Sequence, residues 1–167
     1  MESMKRIFKA LNQARVKYML AGGIAVNLYG IERATADMDI IVLLEEKNLF
    51  RLVGMSENLG LKPKIPVKIS DIIDPEKRRA WIKEKNMKVF SLYDPRNPFI
   101  ILDVLIEFPF DFSEVYNRRK KIRLEDTTIS IVPLDVLIAM KKGTGRPQDR
   151  ADVFYLSKIA GEWKDEK

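Results

Sequence analysis

An apolar run interrupted by one aspartate, FIILDVLI at residues 99–106, constrains the fold of this chain more than any other segment. A run of this kind is typical of a central strand that is buried on both faces of a sheet. An unpaired carboxylate inside such a strand would be strongly destabilising. We therefore expect Asp103 to be protonated, bound to a metal ion, or paired with an arginine or a lysine.

Two further aspartates, Asp37 and Asp39, begin a segment rich in Ile, Val and Leu that is predicted to be a strand. Because side chains alternate across a strand, both point to the same face, with Cα atoms about 6–7 Å apart. At roughly 5 Å and an effective dielectric constant near 20, two such carboxylates repel by about 3 kcal/mol unless a cation relieves them. The alternative is a solvated pair at the start of a strand. If this strand pairs with the strand of Asp103, three carboxylates form a cluster.

A glycine pair, Gly22-Gly23, separates a predicted short strand from a predicted short helix. Glycine lets the backbone approach a ligand closely, and free amides at a helix start favour anions. The alternative is an ordinary tight turn, and the segment matches neither the Walker A motif nor G-x-G-x-x-G. Arg33 and Thr35, in the loop before Asp37, are predicted to contact phosphate or to orient Asp37.

Lys141 is predicted to share the inward face of a helix with Leu134 and Leu137, seven and four residues earlier. A lysine on that face either extends its amine to the surface or points at an anion. Three charged residues follow a glycine break, and we expect them to form a salt-bridge network that docks the last helix rather than to act in catalysis: Arg146, Asp149 and Asp152.

The residue types that are absent exclude several kinds of chemistry. The chain contains no cysteine and no histidine. Disulfides, thiolate zinc sites, Ser-His-Asp and Cys-His catalysis and imidazole metal sites are therefore excluded. Carboxylate oxygens remain as metal ligands, and an all-oxygen ligand set favours Mg²⁺ or Mn²⁺ over zinc.

The order of predicted elements indicates an α+β, or mixed α/β, fold in one domain, 1–167. Helices and strands alternate over the first 60 residues, several strands follow, and two helices form a C-terminal pair. We expect a central sheet with helices covering one face. Residues 62–98 contain prolines and no recognisable motif.

Charge and composition suggest the setting in which the protein acts. A net charge of +6 favours anionic partners such as nucleotides or nucleic acid, or reflects a solvated lysine-rich surface. The charged fraction of 32% leans towards a thermophilic source. The first residues do not resemble a signal peptide, and we found no candidate membrane span, so we expect a cytoplasmic protein.

The ordered set of motifs resembles the nucleotidyltransferase superfamily that includes DNA polymerase β. The matching segments are Leu20-Ala21-Gly22-Gly23, then Arg33 to Ile40 with its D-x-D pair, then Asp103 on a later strand. The residues 133–142 and 145–153 resemble the C-terminal helices of small prokaryotic members, namely minimal nucleotidyltransferases, AbiEii-type toxins and some antibiotic nucleotidyltransferases. Many members have Gly-Ser where this chain has Gly22-Gly23, which removes a hydroxyl contact to phosphate but keeps the backbone amides.

The resemblance implies a nucleotidyltransferase-type mixed sheet flanked by helices, and a metal-dependent transfer of NMP from an NTP to an acceptor hydroxyl. Asp37 and Asp39 would hold Mg²⁺, Asp103 would complete the metal site and act as base, and Gly22, Gly23 and Lys141 would bind the phosphates. The acceptor could be a small molecule, tRNA or a protein. Two rival functions stay open: a catalytically decayed module that binds nucleotide or a partner protein, as in a toxin–antitoxin pair, and a metal-dependent phosphoesterase or nuclease.

Overall fold

The apolar segments build one mixed sheet, which a computed structural model of the chain describes over residues 2–165. The strands are β1 (Tyr18–Ala21), β2 (Met38–Val42), β3 (Lys62–Pro63), β4 (Val89–Asp94), β5 (Asn97–Leu105), β6 (Lys120–Leu124) and β7 (Thr127–Ile131). The helices are α1 (Glu2–Gln13), α2 (Gly22–Leu28), α3 (Glu46–Asn58), α4 (Pro75–Lys85), α5 (Phe112–Asn117), α6 (Leu134–Lys142) and α7 (Pro147–Asp165), and a 3-10 helix spans Ile69–Ile73.

The seven strands follow the order β3-β4-β5-β2-β1-β7-β6. The pairs β2–β5 and β1–β7 are parallel, and the other neighbours are antiparallel. The mixed α/β fold predicted from the sequence is therefore confirmed. Strands β2 and β5 are neighbours although 54 residues separate Val42 from Asn97, and this crossover brings the two aspartate-bearing strands together.

Helices lie on both faces of the sheet, so the expectation of a single covered face is wrong. On one face, Phe8 of α1 stacks on Tyr18 of β1, and Trp81 of α4 stacks on Phe90 of β4. On the other face, α2 packs against β1 and β2. Helices α6 and α7 pack on each other, and residues of both line a cavity together with Asp39 of β2 and Asp103 of β5. The long apolar stretches of β1 and β2 require this arrangement, because their residues are buried on both sides.

Strand β5 differs from its prediction as a strand buried on both faces. Leu102 and Val104 are buried at 1% and 0% exposure, whereas Ile101, Asp103 and Leu105 on the opposite face are only partly buried. The run is apolar throughout, but α2 covers β1 and β2 and leaves this part of β5 open. Asp103 therefore lies at a partly exposed face and not in the centre of the core.

Strand β6 was not predicted. It pairs with β7 through a turn at Glu125 and Asp126. Three of its five residues are basic, which masks the alternation with Ile122 and Leu124. Charged residues of this kind are common on an edge strand, because they oppose pairing with another chain.

In residues 2–165, none of the helices has the length and apolar character needed to cross a bilayer.

Candidate active site

Asp39 and Asp103 face each other across the central pair of strands. The parallel register of β2 and β5 makes them direct partners, and Asp37 lies one residue before the start of β2. Paired residues on neighbouring strands point to the same face, so all three carboxylates are on the face that α2 shares. The two strands pair as the sequence-based prediction required, and the role of the three aspartates as a metal-binding cluster stays a prediction.

Burial and neighbouring negative charges raise the pKa values of both central carboxyl groups. Burial, followed by the negative charges of Asp103 and Asp37, raises the pKa of Asp39 to about 6, against an opposing effect of Lys141 and Arg146. Burial is also the main cause that raises the pKa of Asp103 above its ordinary value. Adjacent carboxyl groups with raised pKa values in a cavity mark a candidate functional site.

Strand β4 supplies a contact to Asp103 that the sequence did not indicate. The hydroxyl of Ser91 donates a hydrogen bond of 2.5 Å to Oδ1 of Asp103, its partner across β4 and β5. The positive charge of Lys64, next to β3, also acts on Asp103 and opposes the rise of its pKa. Neither residue belongs to a motif, and only the strand register brings them to the site.

Side chains of the site occupy the space next to the Cα atoms of Gly22 and Gly23. Gly22 has φ +64°, and a Cβ atom there would lie 2.0 Å from Oδ2 of Asp39. A Cβ atom on Gly23 would lie 2.5 Å from Oγ1 of Thr35 and 3.1 Å from Cζ of Arg33. Both positions thus exclude any side chain, because the aspartate strand and its preceding loop pack directly on the turn.

Lys141 and Arg33 belong to a buried ion-pair network that joins α6, α7 and the loop before β2. The Nζ atom of Lys141 lies 2.9 Å from Oδ1 of Asp149 and 2.9 Å from Oδ2 of Asp152. Arg33 forms an ion pair with the same Asp152, and its Nε is buried without a hydrogen-bond partner in residues 2–165. The charge of Lys141, predicted to meet an anion, is therefore already balanced by two carboxylates of α7.

Asp149 is the best-connected member of this network. Besides Lys141, it accepts hydrogen bonds from Thr144 (2.6 Å) and from Nε of Arg146 (2.7 Å). Burial alone would raise the pKa of Asp149, but these three bonds lower it to about 2. Of the three residues expected to form this network, Arg146 pairs with Asp149, whereas Asp152 is joined through Lys141 and Arg33.

A cavity of about 710 Å³ brings all the sequence-predicted site residues to one place. Its wall also contains side chains that the sequence did not single out, among them Lys88, Glu107 and Gln148. The predicted residues that line it are Gly22, Gly23, Arg33, Thr35, Asp37, Asp39, Asp103 and Lys141. Their shared location is an observation, and the role of each stays a prediction.

The donor set suits a hard divalent cation. Asp37, Asp39 and Asp103 offer only oxygen atoms as ligands. The pKa of Asp39 is raised first by burial and then by the negative charges of Asp103 and Asp37, and a bound cation would oppose both effects. Within residues 2–165, however, no three carboxylate side chains converge as a pre-formed metal site would require. A cation held here would therefore need ligand oxygens beyond these side chains, as Mg²⁺ does when it binds through one or two carboxylates and the phosphates of a substrate.

Comparison with known proteins gives matches at the level of structure alone. No protein-family model and no curated protein matches the sequence. Among solved structures, the lincosamide antibiotic adenylyltransferase LnuA, with lincomycin bound, superposes with a TM-score of 0.64 at 16% identity, over 95% of this chain and 97% of that one.

Two further structures agree with the first. ANT(2″)-Ia, solved in complex with adenylyl-2″-tobramycin, gives a TM-score of 0.59 at 11% identity, over 95% of this chain and 87% of that one. A protein from Thermotoga maritima assigned as a nucleotidyltransferase gives 0.58 at 13% identity, over 99% and 92%. The chain therefore shares its fold with these nucleotidyltransferases.

Proposed function

We propose that the protein transfers an NMP group from an NTP to an acceptor hydroxyl and releases pyrophosphate. The observation that carries this proposal is the register of β2 and β5, which sets Asp39 opposite Asp103 and directly against Gly22. A phosphate that reached the turn would meet its backbone amides, and a divalent cation held by the two carboxylates would offset the repulsion between these anions. The similarity to adenylyltransferases with the same fold supports transfer over hydrolysis.

In the proposed reaction the acceptor oxygen attacks the α-phosphorus. The bond from that phosphorus to the oxygen bridging to the β-phosphate breaks, and pyrophosphate leaves. Asp103 takes the proton of the acceptor hydroxyl, and the hydrogen bond from Ser91 fixes the orientation of its carboxylate. Asp37, Asp39 and Asp103 would hold Mg²⁺ or Mn²⁺, which supplies positive charge against the phosphate oxygens.

The phosphates of the NTP would lie at the glycine turn, next to the basic side chains around it. The backbone amides of Gly22 and Gly23 face β/γ-phosphates, with Arg33 and Thr35 beside them. Lys141 acts at a distance through its charge, since its amine is engaged by Asp149 and Asp152. Arg146 uses Nε for its ion pair, and its side chain is 73% exposed at the cavity, so its remaining N–H groups can reach phosphate.

Calorimetry with each of the four NTPs and Mg²⁺ tests the proposal. We expect metal-dependent binding by the wild-type protein that is lost in the double variant Asp37→Ala/Asp39→Ala. Glu57→Ala, an exposed change on α3 at the opposite face, is the matched control and should bind as the wild type does.

The products separate the proposed function from its rivals. Pyrophosphate release with an acceptor supports transfer, and phosphate release from the NTP without pyrophosphate would indicate a phosphoesterase. Absence of metal-dependent NTP binding by the folded wild-type protein would overturn the transferase assignment and favour a decayed binding module.

A further inference from the structure

Helix α3 carries an exposed phenylalanine on the side that faces away from the core. Leu49, Leu52 and Val53 form its inward side and are buried. Phe50 points outward and is 58% exposed. A single exposed apolar side chain is ordinary on a protein surface, so Phe50 is informative only together with the residues that share this side of α3.

A glycine follows Phe50 by one turn on the same side of the helix. Gly54 lies inside α3, where glycine is less favourable than alanine. Its φ is not positive, and a Cβ atom there would meet nothing within 4 Å among the described residues. Neither the backbone conformation nor the packing within one copy of the chain therefore requires a glycine at this position.

Opposite charges mark the two ends of this side. Lys47 lies three residues before Phe50, and Glu57 lies three residues after Gly54; both are exposed. In residues 2–165 neither side chain forms an ion pair. Spacings of three, four and three are those of the contact seam between paired helices. We call these four residues the α3 row; along the chain they are positive, aromatic, small and negative.

Two further charged residues of α3 flank the row. Glu46 and Arg51 each follow or precede a member of the row by one residue, a rotation of about 100° around the helix, and they lie on opposite sides of it. Arg51 donates a 3.2 Å hydrogen bond from a terminal N–H to the carbonyl of Arg15, and Glu46 is exposed. Their charges are opposite, so together they add no net charge to the row.

We propose that the protein forms a homodimer in which α3 packs antiparallel on α3 of a second copy. A twofold axis at the level of Leu52 sets position 47 opposite position 57 of the other copy, and position 50 opposite position 54. Phe50 then packs over the partner's Gly54, whose missing side chain leaves room for the ring. Lys47 pairs with the partner's Glu57. Each contact occurs twice in the dimer.

The order of residues in the α3 row favours a second copy in this orientation. A twofold interface must be complementary to itself, and reversing the row sets positive against negative and large against small. A parallel pair would instead set Lys47 against the partner's Lys47 and Glu57 against the partner's Glu57, and like charges at such positions repel. Glycine at the contact also lets two helices approach closely.

The interface would be small, and it would leave the candidate active site open. A helix of 13 residues is about 20 Å long, so one helix pair buries less than the roughly 800 Å² per partner of a standard interface. We therefore expect a monomer–dimer equilibrium that depends on concentration. No residue of α3 lines the cavity with Asp39 and Asp103. The dimer is thus independent of the proposed function, and NTP binding should not change with association.

Sedimentation velocity at protein concentrations from about 5 to 500 μM tests the proposal. The wild-type protein should show a dimer fraction that rises with concentration. Phe50→Ala should raise the dissociation constant about tenfold or more, because it removes the aromatic side chain from both contacts. Gly54→Leu should do the same, because the new side chain fills the space that the partner's Phe50 needs. Leucine favours the helix and meets nothing within one copy, so the Tm of the dilute variant should not fall.

A charge exchange tests the antiparallel orientation. Lys47→Glu should weaken the dimer roughly fivefold at low salt, because it sets a carboxylate opposite the partner's Glu57. Glu57→Lys should weaken it similarly. The double variant Lys47→Glu/Glu57→Lys restores opposite charges at both contacts and should associate as the wild type does. A double variant that associates as weakly as either single variant would rule out this arrangement.

Exposed residues elsewhere provide matched controls. Phe154 on α7 is 56% exposed, and Lys121 on the edge strand β6 is exposed. Phe154→Ala and Lys121→Glu should associate as the wild type does. A wild-type protein that stays monomeric at the highest concentration would overturn the proposal. So would a dimer whose dissociation constant is unchanged by both Phe50→Ala and Gly54→Leu, because its interface would lie away from α3.

Discussion

At the scale of single residues, the folded structure disfavours the ionised form of Asp39. Its pKa of about 6 lies above the ordinary value of 3.8, chiefly because of burial. The folded state binds the proton of Asp39 more tightly than the unfolded chain does. The stabilisation that comes from this protonated carboxyl group is therefore present below about pH 4 and is lost as the pH rises through 6. The metal-free protein should therefore lose stability between these values, by on the order of 2–3 kcal/mol from this group.

Asp39→Asn removes that titration. We expect the variant to be about 2 kcal/mol more stable than the wild type at pH 7.5 and to show a flatter stability profile from pH 4 to 8. Urea unfolding in EDTA at several pH values measures it. Glu84→Gln, an exposed change on α4, is the control. Parallel curves for wild type and Asp39→Asn would contradict the perturbed carboxylate.

Gly22 and Gly54 offer a matched pair of glycine substitutions. Gly22→Ala places Cβ 2.0 Å from Oδ2 of Asp39 at a φ of +64°, so it should displace the carboxylate and cost about 1–3 kcal/mol. Gly54 lies inside α3 with nothing within 4 Å of a Cβ atom, and Gly54→Ala should stabilise by about 0.5–1 kcal/mol. Thermal unfolding measures both, and equal effects would refute the close contact at Gly22.

At the scale of elements, the Lys141 network fastens α7 to the rest of the molecule. Lys141→Met leaves Asp149 and Asp152 buried without this cation, and loss of one partner in a buried pair costs about 3–5 kcal/mol. Lys142→Met, the exposed neighbour on α6, should change stability by less than about 0.5 kcal/mol. Urea unfolding distinguishes them. A small, equal effect of both changes would mean that the network does not hold the helix.

The elements also show which parts of the site the sequence could predict. Asp37, Asp39 and Gly22 lie within one local segment, so alternation and turn chemistry were enough to place them. The contact of Ser91 with Asp103 depends on the register between β4 and β5, which a single sequence does not specify. Likewise, the apolar run of β5 predicted burial on both faces. The exposure of Ile101, Asp103 and Leu105 depends on which strands α2 covers, and the sequence of β5 itself does not contain that information.

At the scale of the whole molecule, metal binding and folding should be linked. The carboxylates repel one another in the folded state and separate in the unfolded chain, so a cation that binds them favours folding. At a Mg²⁺ concentration 100 times its Kd, the gain would be about 2.7 kcal/mol. For a domain of this size, each kcal/mol raises Tm by about 2–4 °C.

We therefore expect Mg²⁺ to raise the Tm of the wild-type protein by about 5–10 °C at saturating concentration, relative to NaCl of equal ionic strength. The shift should disappear in Asp39→Asn, because that change removes both the ligand and the repulsion, and persist in Glu57→Gln on the opposite face. Differential scanning calorimetry at pH 7.5, where Asp39 is ionised, makes the measurement. Equal shifts in wild type and Asp39→Asn would place the stabilising cation elsewhere on the molecule and remove the link between the carboxylate pair and the metal.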